Sequence, residues 1–429
     1  MRRSGALTLG VILTLGGVTG GRGQELSGSV TPSNAGSLDG LALPSIPENW
    51  ADLPVKLTAS ETVSYNSNLN SLPIGVHNPG GGPQGDFTSA SNFGFSTRAN
   101  VSGQQLFFDA TFGVIRYLHN VQFDSDVYSL NAGVDWTLTS RCSGTLGVSL
   151  AKSPTALTEL VATGVNYTTS TALNETGKCA VSNGFSLVFN SGLTTTTNSN
   201  PIDALNNSRT TLLSAGIEYA KGYSTLTLLA SNSDNNFNGR SAAQAALLGL
   251  ATVTDFHTFS LNYTRQINAN LSVSGLIGLV GTTNGFTLGL PKSLLPIYTL
   301  STTWAFTPKL SLNASASRTV APPTTVIANE QMSYDATVNL AYQITPKVSV
   351  IAGGSIDYST STFTSALAQA GISPFFVGTQ KNYTLNAGLA YAMTPFLSAA
   401  LNASYSERVG NGFITPQDLL TVSLNYRPY

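Results

Sequence analysis

Charge is scarce in this chain. Asp, Glu, Lys and Arg together make up 10% of the 429 residues, against about 25% in ordinary soluble domains. The formal net charge is −1, so there is no basic field of the kind that nucleic acid requires. The chain has 2 cysteines, 3 histidines and 3 tryptophans, too few for a metal-stapled or disulfide-stapled scaffold. Past the first twenty residues no apolar run approaches the roughly 20 positions of a spanning helix, and long segments of helical period are missing as well. What remains is Ser, Thr, Asn and Gly, interleaved with single apolar residues.

That interleaving has a period of two. It recurs in units bounded by one kind of turn: Tyr342-Gln-Ile-Thr-Pro346-Lys-Val-Ser-Val350, Trp304-Ala-Phe-Thr-Pro308-Lys-Leu-Ser-Leu312 and Tyr391-Ala-Met-Thr-Pro395-Phe-Leu-Ser-Ala399. Looser copies begin at Tyr263, Tyr219 and Trp136. An aromatic, a short turn and renewed alternation describe a tight β-hairpin. From Tyr219 onward successive aromatics stand roughly 40 residues apart, a spacing of two long strands with their loop, and one that four-stranded propeller blades also share.

The N-terminus has the form of a secretion signal: Arg2 and Arg3, an apolar stretch from Ala6 to Val18, then Gly21-Arg-Gly23. Cleavage is expected before Gln24, with residues 1–23 as signal and 24–53 as a Ser/Gly/Pro-rich periplasmic linker. The other reading, a single membrane anchor, fits a short, glycine-rich stretch poorly. A secreted chain with period-two alternation and no helical span points to a bacterial outer-membrane β-barrel over 54–429, since only a closed barrel faces lipid without unpaired backbone.

About eighteen antiparallel strands are expected, sixteen if the weakly patterned 152–180 region holds none. They start near residues 54, 90, 104, 127, 143, 163, 184, 209, 223, 255, 270, 297, 309, 333, 347, 382, 396 and 418. Short connections, among them Ser102-Gly103, Gly222 and the Thr-Pro turns, are assigned to the periplasm. Long ones at 69–86, 191–208, 231–252, 281–296, 319–332, 359–380 and 407–417 are assigned to the outside. Parity then places Trp136, Tyr219, Tyr263, Trp304, Tyr342, Tyr391 and Tyr426 on the lipid face as a periplasmic aromatic girdle. The C-terminal strand 420–429 has the form presented to the barrel-assembly machinery.

Two segments are similar to a known family. Val63-Ser-Tyr65-Asn66-Ser67-Asn68 resembles the first-strand Tyr-Asp-x-Asn pattern of β-barrel porins associated with capsular polysaccharide export, with Asn66 where Asp is usual. The run from Phe123 to Gly147 is similar to that family's third hairpin. The resemblance implies an outer-membrane barrel, a porin or an export conduit, without catalytic residues.

The same parity turns Lys56, Arg98, Asp109, Asp135, Glu218, Asp335, Asp357 and Arg427 into the lumen. No ring of one charge is visible among them, so the expected cargo is small neutral or weakly charged solutes, saccharide-like ones included. A barrel plugged by its own loops would use the same polar lining. Arg98 and Asp109 stand at matched distances from Gly103 and are expected to form a lumen ion pair. Helix-forming stretches at 241–250 and 364–370 could either constrict the bore or lie on the mouth or a neighbouring loop. Cys142 and Cys179 fall at the periplasmic edge of adjacent strands, both outward, and a disulfide is expected between them, although Glu175 shares that outward parity.

His77, His119 and His257 map to separate places at the extracellular end with no ligand spacing, and Gly80-Gly-Gly82 lacks the strand–helix setting of a phosphate loop. No cofactor, metal or catalytic residue is implied. The reading is a porin-like channel. The alternatives are a non-conducting surface barrel whose loops bind a partner or polysaccharide, and a soluble propeller.

Overall fold

The computed structural model describes residues 55–69, 71–76, 83–154, 166–201, 203–248, 250–284, 294–321, 328–363, 379–410 and 413–427. The expected signal, linker, His77, Gly80–Gly82 and the 364–370 helix lie outside these residues. Eighteen strands follow one another along the chain. The first six are β1 (Val55–Asn66), β2 (Asp86–Val101), β3 (Gln104–Tyr117), β4 (Ser125–Thr139), β5 (Cys142–Pro154) and β6 (Tyr167–Ser182). Next come β7 (Phe185–Asn198), β8 (Ser208–Lys221), β9 (Ser224–Asn236), β10 (Val253–Asn268), β11 (Leu271–Asn284) and β12 (Leu294–Thr307). The last six are β13 (Leu310–Ala321), β14 (Ala328–Thr345), β15 (Val348–Phe363), β16 (Thr379–Ala392), β17 (Leu397–Gly410) and β18 (Phe413–Tyr426). One short helix, α1 (Ala242–Leu248), interrupts the series.

Every strand pairs antiparallel with its sequence neighbours, and β1 pairs with both β2 and β18. The sheet is therefore a closed up-and-down barrel, with no edge among the strands. A propeller is excluded, for its blades would not share one continuous ladder. The β6 segment, in the region of weak pattern, is a full strand, so the count is eighteen rather than sixteen.

Strands run further toward the extracellular side than expected. Residues 191–198, 231–236, 281–284, 359–363, 407–410 and 413–417 fall within the expected loops but belong to β7, β9, β11, β15, β17 and β18. Their composition explains the difference. Runs such as Thr194-Thr-Thr-Thr197 are polar on both faces, so the two-residue period is silent where both sides meet water.

Turn chemistry at the periplasmic end is explicit. In three Thr-Pro turns the threonine hydroxyl accepts from two amides: Thr307 from Lys309 and Leu310, Thr345 from Lys347 and Val348, Thr394 from Phe396 and Leu397, all at 3.0–3.2 Å. Thr139 accepts likewise from Arg141 and Cys142, without a proline. The Asn183-Gly184 turn instead has φ of 45° and 87°, and a Cβ on Gly184 would come within 2.3 Å of the Ala220 carbonyl. Asn tolerates that left-handed conformation and Gly fills the crowded position.

The outer face is apolar and exposed. Leu385, Leu213, Ile277, Phe93, Leu300, Ile356 and Val422 each leave half or more of their surface uncovered. Buried apolar residues among those described are few and lie in small separate clusters, for example Ala90, Ile115 and Val127 at the extracellular end. The molecule hides little apolar surface within itself and presents a continuous apolar belt outward, the inverse of a water-soluble core.

Candidate functional site

The candidate site is the inner wall. Successive side chains of a strand alternate across the sheet, so residues paired across the ladder form rows on one face. On the wall β13–β17 one inward row reads Ser317, Asp335, Asp357, Asn382 and Arg408, each opposite the next. The Ser317 hydroxyl donates to Asp335 at 3.3 Å, and the Asn382 amide to Asp357 at 3.1 Å. Arg408 is buried and donates from Nε to the Gln380 side-chain oxygen at 3.1 Å. Arg408 falls in the expected 407–417 loop, and the structure places it in β17.

The opposite wall has its charges lower, toward the periplasm. Arg98 and Asp109 form a bidentate pair at 3.0 and 2.9 Å, the Ser96 hydroxyl donates to the same carboxylate, and the guanidinium lies 5.2 Å from the Phe107 ring. Asp135 accepts from Thr145 at 2.6 Å. Glu218 is 6% exposed and meets Lys178 across the intervening strand β7. Lys178 is inward by the same parity that was applied to its neighbours, and the weak pattern of its strand concealed it. Lys56 stands opposite Ser96, and the Arg427 amide donates to the Phe396 carbonyl at 2.8 Å. The carboxylates described here are thus joined to a cation or met by hydroxyl and amide groups, while apolar clusters, Ala90 with Ile115 and Val127, and Phe256 with Val280, interrupt the polar inner wall toward the extracellular end.

The aromatic set lies on the outer face. Tyr263, Trp304, Tyr342, Tyr391 and Tyr426 are 40–47% exposed. Trp136 stacks on Phe189 with centroids 6.5 Å apart and also covers Gly144, where a Cβ would meet its ring at 2.4 Å. Tyr219 packs on Phe185 at 4.6 Å. Beside Trp136, Cys142 stands opposite Cys179 with Cα atoms 4.1 Å apart, and the two sulfurs are bonded. The register from Glu175 to Cys179 has no bulge; Glu175 faces outward and accepts from Ser191 at 3.4 Å. A second outward carboxylate, Glu61, accepts from Ser89 and Ser91.

At the extracellular mouth, loops are tied to each other by buried polar groups. Asp86, with its side chain fully buried, accepts from the amides of His119 and Asn120 and from the Asn120 side chain. Arg240 is 5% exposed and donates to the carbonyls of Leu205 and Ala251 and to Asn206. Burial pushes its pKa down to about 10. These bonds fasten the segment that carries α1 to the neighbouring β7–β8 loop, one of the two placements expected for this helix. His119 and His257 lie far apart in the ladder, on β3–β4 and β10, and among the described residues no group of three His, Cys, Asp or Glu could hold a metal ion.

The sequence matches no known family model and no curated protein sequence. Solved structures with a similar course of chain include OprD of Pseudomonas aeruginosa, at 9% identity over 87% of this chain and 94% of that one, with a TM-score of 0.47. OccK2 (OpdF) of Pseudomonas aeruginosa in complex with glucuronate is 10% identical over 88% and 99%, TM-score 0.47. The siderophore receptor PirA of Pseudomonas aeruginosa is 11% identical over 87% and 80%, TM-score 0.47. At these values no residue and no solute carries over to this chain.

Proposed function

We propose that this chain is a porin-like channel of the bacterial outer membrane through which small neutral or weakly charged solutes pass by diffusion. One observation carries the reading. A closed ladder of eighteen strands has its exposed apolar residues mainly outward, and an inner face made largely of Ser, Thr, Asn and paired charges. The outer belt fits hydrocarbon, and a barrel of this strand number leaves an aqueous bore. Locally neutralised walls favour uncharged cargo of the saccharide kind over strongly charged ions. A finer link to polysaccharide export rests on the resemblance of Val63–Asn68 and Phe123–Gly147 alone.

Single-channel recording in planar bilayers, with liposome swelling in sugars of graded size, tests this. Steady conductance and size-limited sugar entry are expected. A barrel that inserts without conducting would replace the channel with the surface-binding reading, in which the fastened extracellular loops meet a partner.

A further inference from the structure

On the outer wall β8–β12 the apolar belt is indented by a groove of about 510 Å³. Two rows of outward residues form it. The lower row runs Ala215, Ala230, Phe259, Leu279, and the row above it, nearer the extracellular end, runs Leu213, Asn232, His257, Gly281, Leu294. Ala215 and Ala230 have almost no side chain, so the floor is low between the exposed walls Leu213, Phe259 and Leu294. Asn232 and His257 stand opposite each other at the top, exposed, and neither side chain makes a hydrogen bond within the described residues.

A polar pair on a surface facing hydrocarbon is costly unless something meets it. Polarity along the groove runs in one direction: apolar below, two hydrogen-bond donors above, and Asp234 opposite Asp255 at the rim. A second barrel would present a broad apolar belt and leave both donors unmet. An acylated lipid of the outer leaflet matches the gradient: a chain lies over Ala215 and Ala230, and the carbonyl of its ester or amide linkage accepts from Asn232 Nδ2 and a His257 ring N–H. We propose that this groove is a specific seat for one acyl chain of an outer-leaflet lipid, fixed at its linkage carbonyl. The inference rests on the membrane placement of the barrel and is independent of conduction.

The test uses the full chain reconstituted in phosphatidylethanolamine vesicles with or without lipid A. The photoreactive residue p-benzoylphenylalanine replaces Phe259, or Leu385 on the far wall, which is 65% exposed. Irradiation before detergent extraction should give lipid adducts at both positions. Irradiation carried out only after exhaustive detergent exchange should still give adducts at 259 and about tenfold fewer at 385, a difference near 1.4 kcal/mol. The adduct mass identifies phospholipid or lipid A as the source. Native mass spectrometry of the unlabelled protein should show one retained lipid, lost in Ala230→Phe and reduced in the Asn232→Ala/His257→Ala pair, with heat-modifiable gel migration unchanged. Equal loss of adducts at 259 and 385, or coupling of 259 to a second copy of the chain, overturns the groove. Failure to label lipid at 385 before extraction would instead strike the membrane placement itself.

Discussion

Gln417 donates from Nε2 to Oδ1 of Asn66 at 2.9 Å, across 351 residues of chain. The same oxygen accepts from the Asn68 amide at 2.9 Å, and Gln417 also reaches the Asn68 carbonyl. Ser67 exchanges two bonds with Asp418, one through its amide and one through its hydroxyl. The segment that resembles a family pattern is therefore the extracellular latch of the β1–β18 seam, where the first strand meets the last. Its polar residues serve closure, and a side chain that only accepts at this place explains why Asp suits the pattern as well as Asn.

Asn66→Ala should accordingly weaken the barrel. Asn66 is 3% exposed, and its removal strands the Asn68 amide and leaves Gln417 Nε2 with the Asn68 carbonyl alone, at about 1–3 kcal/mol for the stranded amide. Asn66→Asp keeps the acceptor and should stay near wild type. The temperature at which the protein shifts from folded to unfolded migration on a gel measures both. Equal stability of Asn66→Ala and wild type would remove the latch.

Arg98 and Asp109 test how the lumen handles charge. Both side chains are partly exposed, 45% and 34%, so water screens the pair and its worth to stability is held to about 1 kcal/mol or less. Arg98→Ala leaves a carboxylate facing the bore and should move the reversal potential in a salt gradient toward cations. Asp109→Asn leaves the guanidinium and should move it toward anions. The double variant should return near wild type. Shifts of the same sign from both single variants would mean that the pair does not face the conducting path.

Much of this architecture was legible because a two-residue period is physically loud where one face meets lipid and the other water. Tyr342 and Asp335 could be placed on opposite faces from their spacing alone. Silence fell where that contrast ends. Thr194–Thr197 continue β7 with hydroxyls on both faces, and Arg408 follows Glu407, which breaks the apolar outward row of β17 after Tyr405, so a two-residue period reads both as loop. Lys178 was lost because Glu175, three positions earlier, blurs the outward face of β6. Partnerships such as Asp86 with Asn120 depend on how loops fold over the rim, which no local period encodes.

Asp203, in the β7–β8 loop beside the residues that Arg240 grips, is pushed above the ordinary carboxylate value of 3.8 by burial. A carboxyl whose folded pKa is raised contributes stability in full below the unfolded value, and loses it as pH rises through the folded value. The docked loop should therefore loosen as pH climbs from below 3.8 toward neutrality. Asp203→Asn should abolish that dependence and protect the loop at pH 7. Limited proteolysis between residues 199 and 252 across this pH range is the measurement, and an identical pH profile in the variant would refute it.

The disulfide gives a covalent check on register. Cys142 faces Cys179 at the periplasmic end of β5 and β6, and a one-residue slip would send one sulfur to the lumen. Peptide mapping without reductant should recover residues 142 and 179 in one cross-linked species, and reduction should separate them with a gain of two hydrogens. Alkylation of denatured, unreduced protein should label neither cysteine.

The threonine of the recurring turn, rather than its proline, is the group that makes bonds. Thr345 Oγ1 accepts from the amides of Lys347 and Val348 at 3.2 and 3.0 Å, while Pro346 contributes a fixed φ and lacks a donor to lose. Thr139 builds the same geometry with Ser140 in the proline's place, so the hydroxyl suffices. Thr345→Val removes the acceptor at nearly constant shape. Because the turn is exposed and water replaces part of the loss, the cost should be modest, about 0.5–1.5 kcal/mol. Hydrogen exchange at the amides of 347 and 348 should quicken clearly, whereas Thr345→Ser should preserve protection and Pro346→Ala should change it little. If Pro346→Ala quickened exchange more than Thr345→Val, the turn would owe its shape to the ring, and the threonine bonds would be incidental to it.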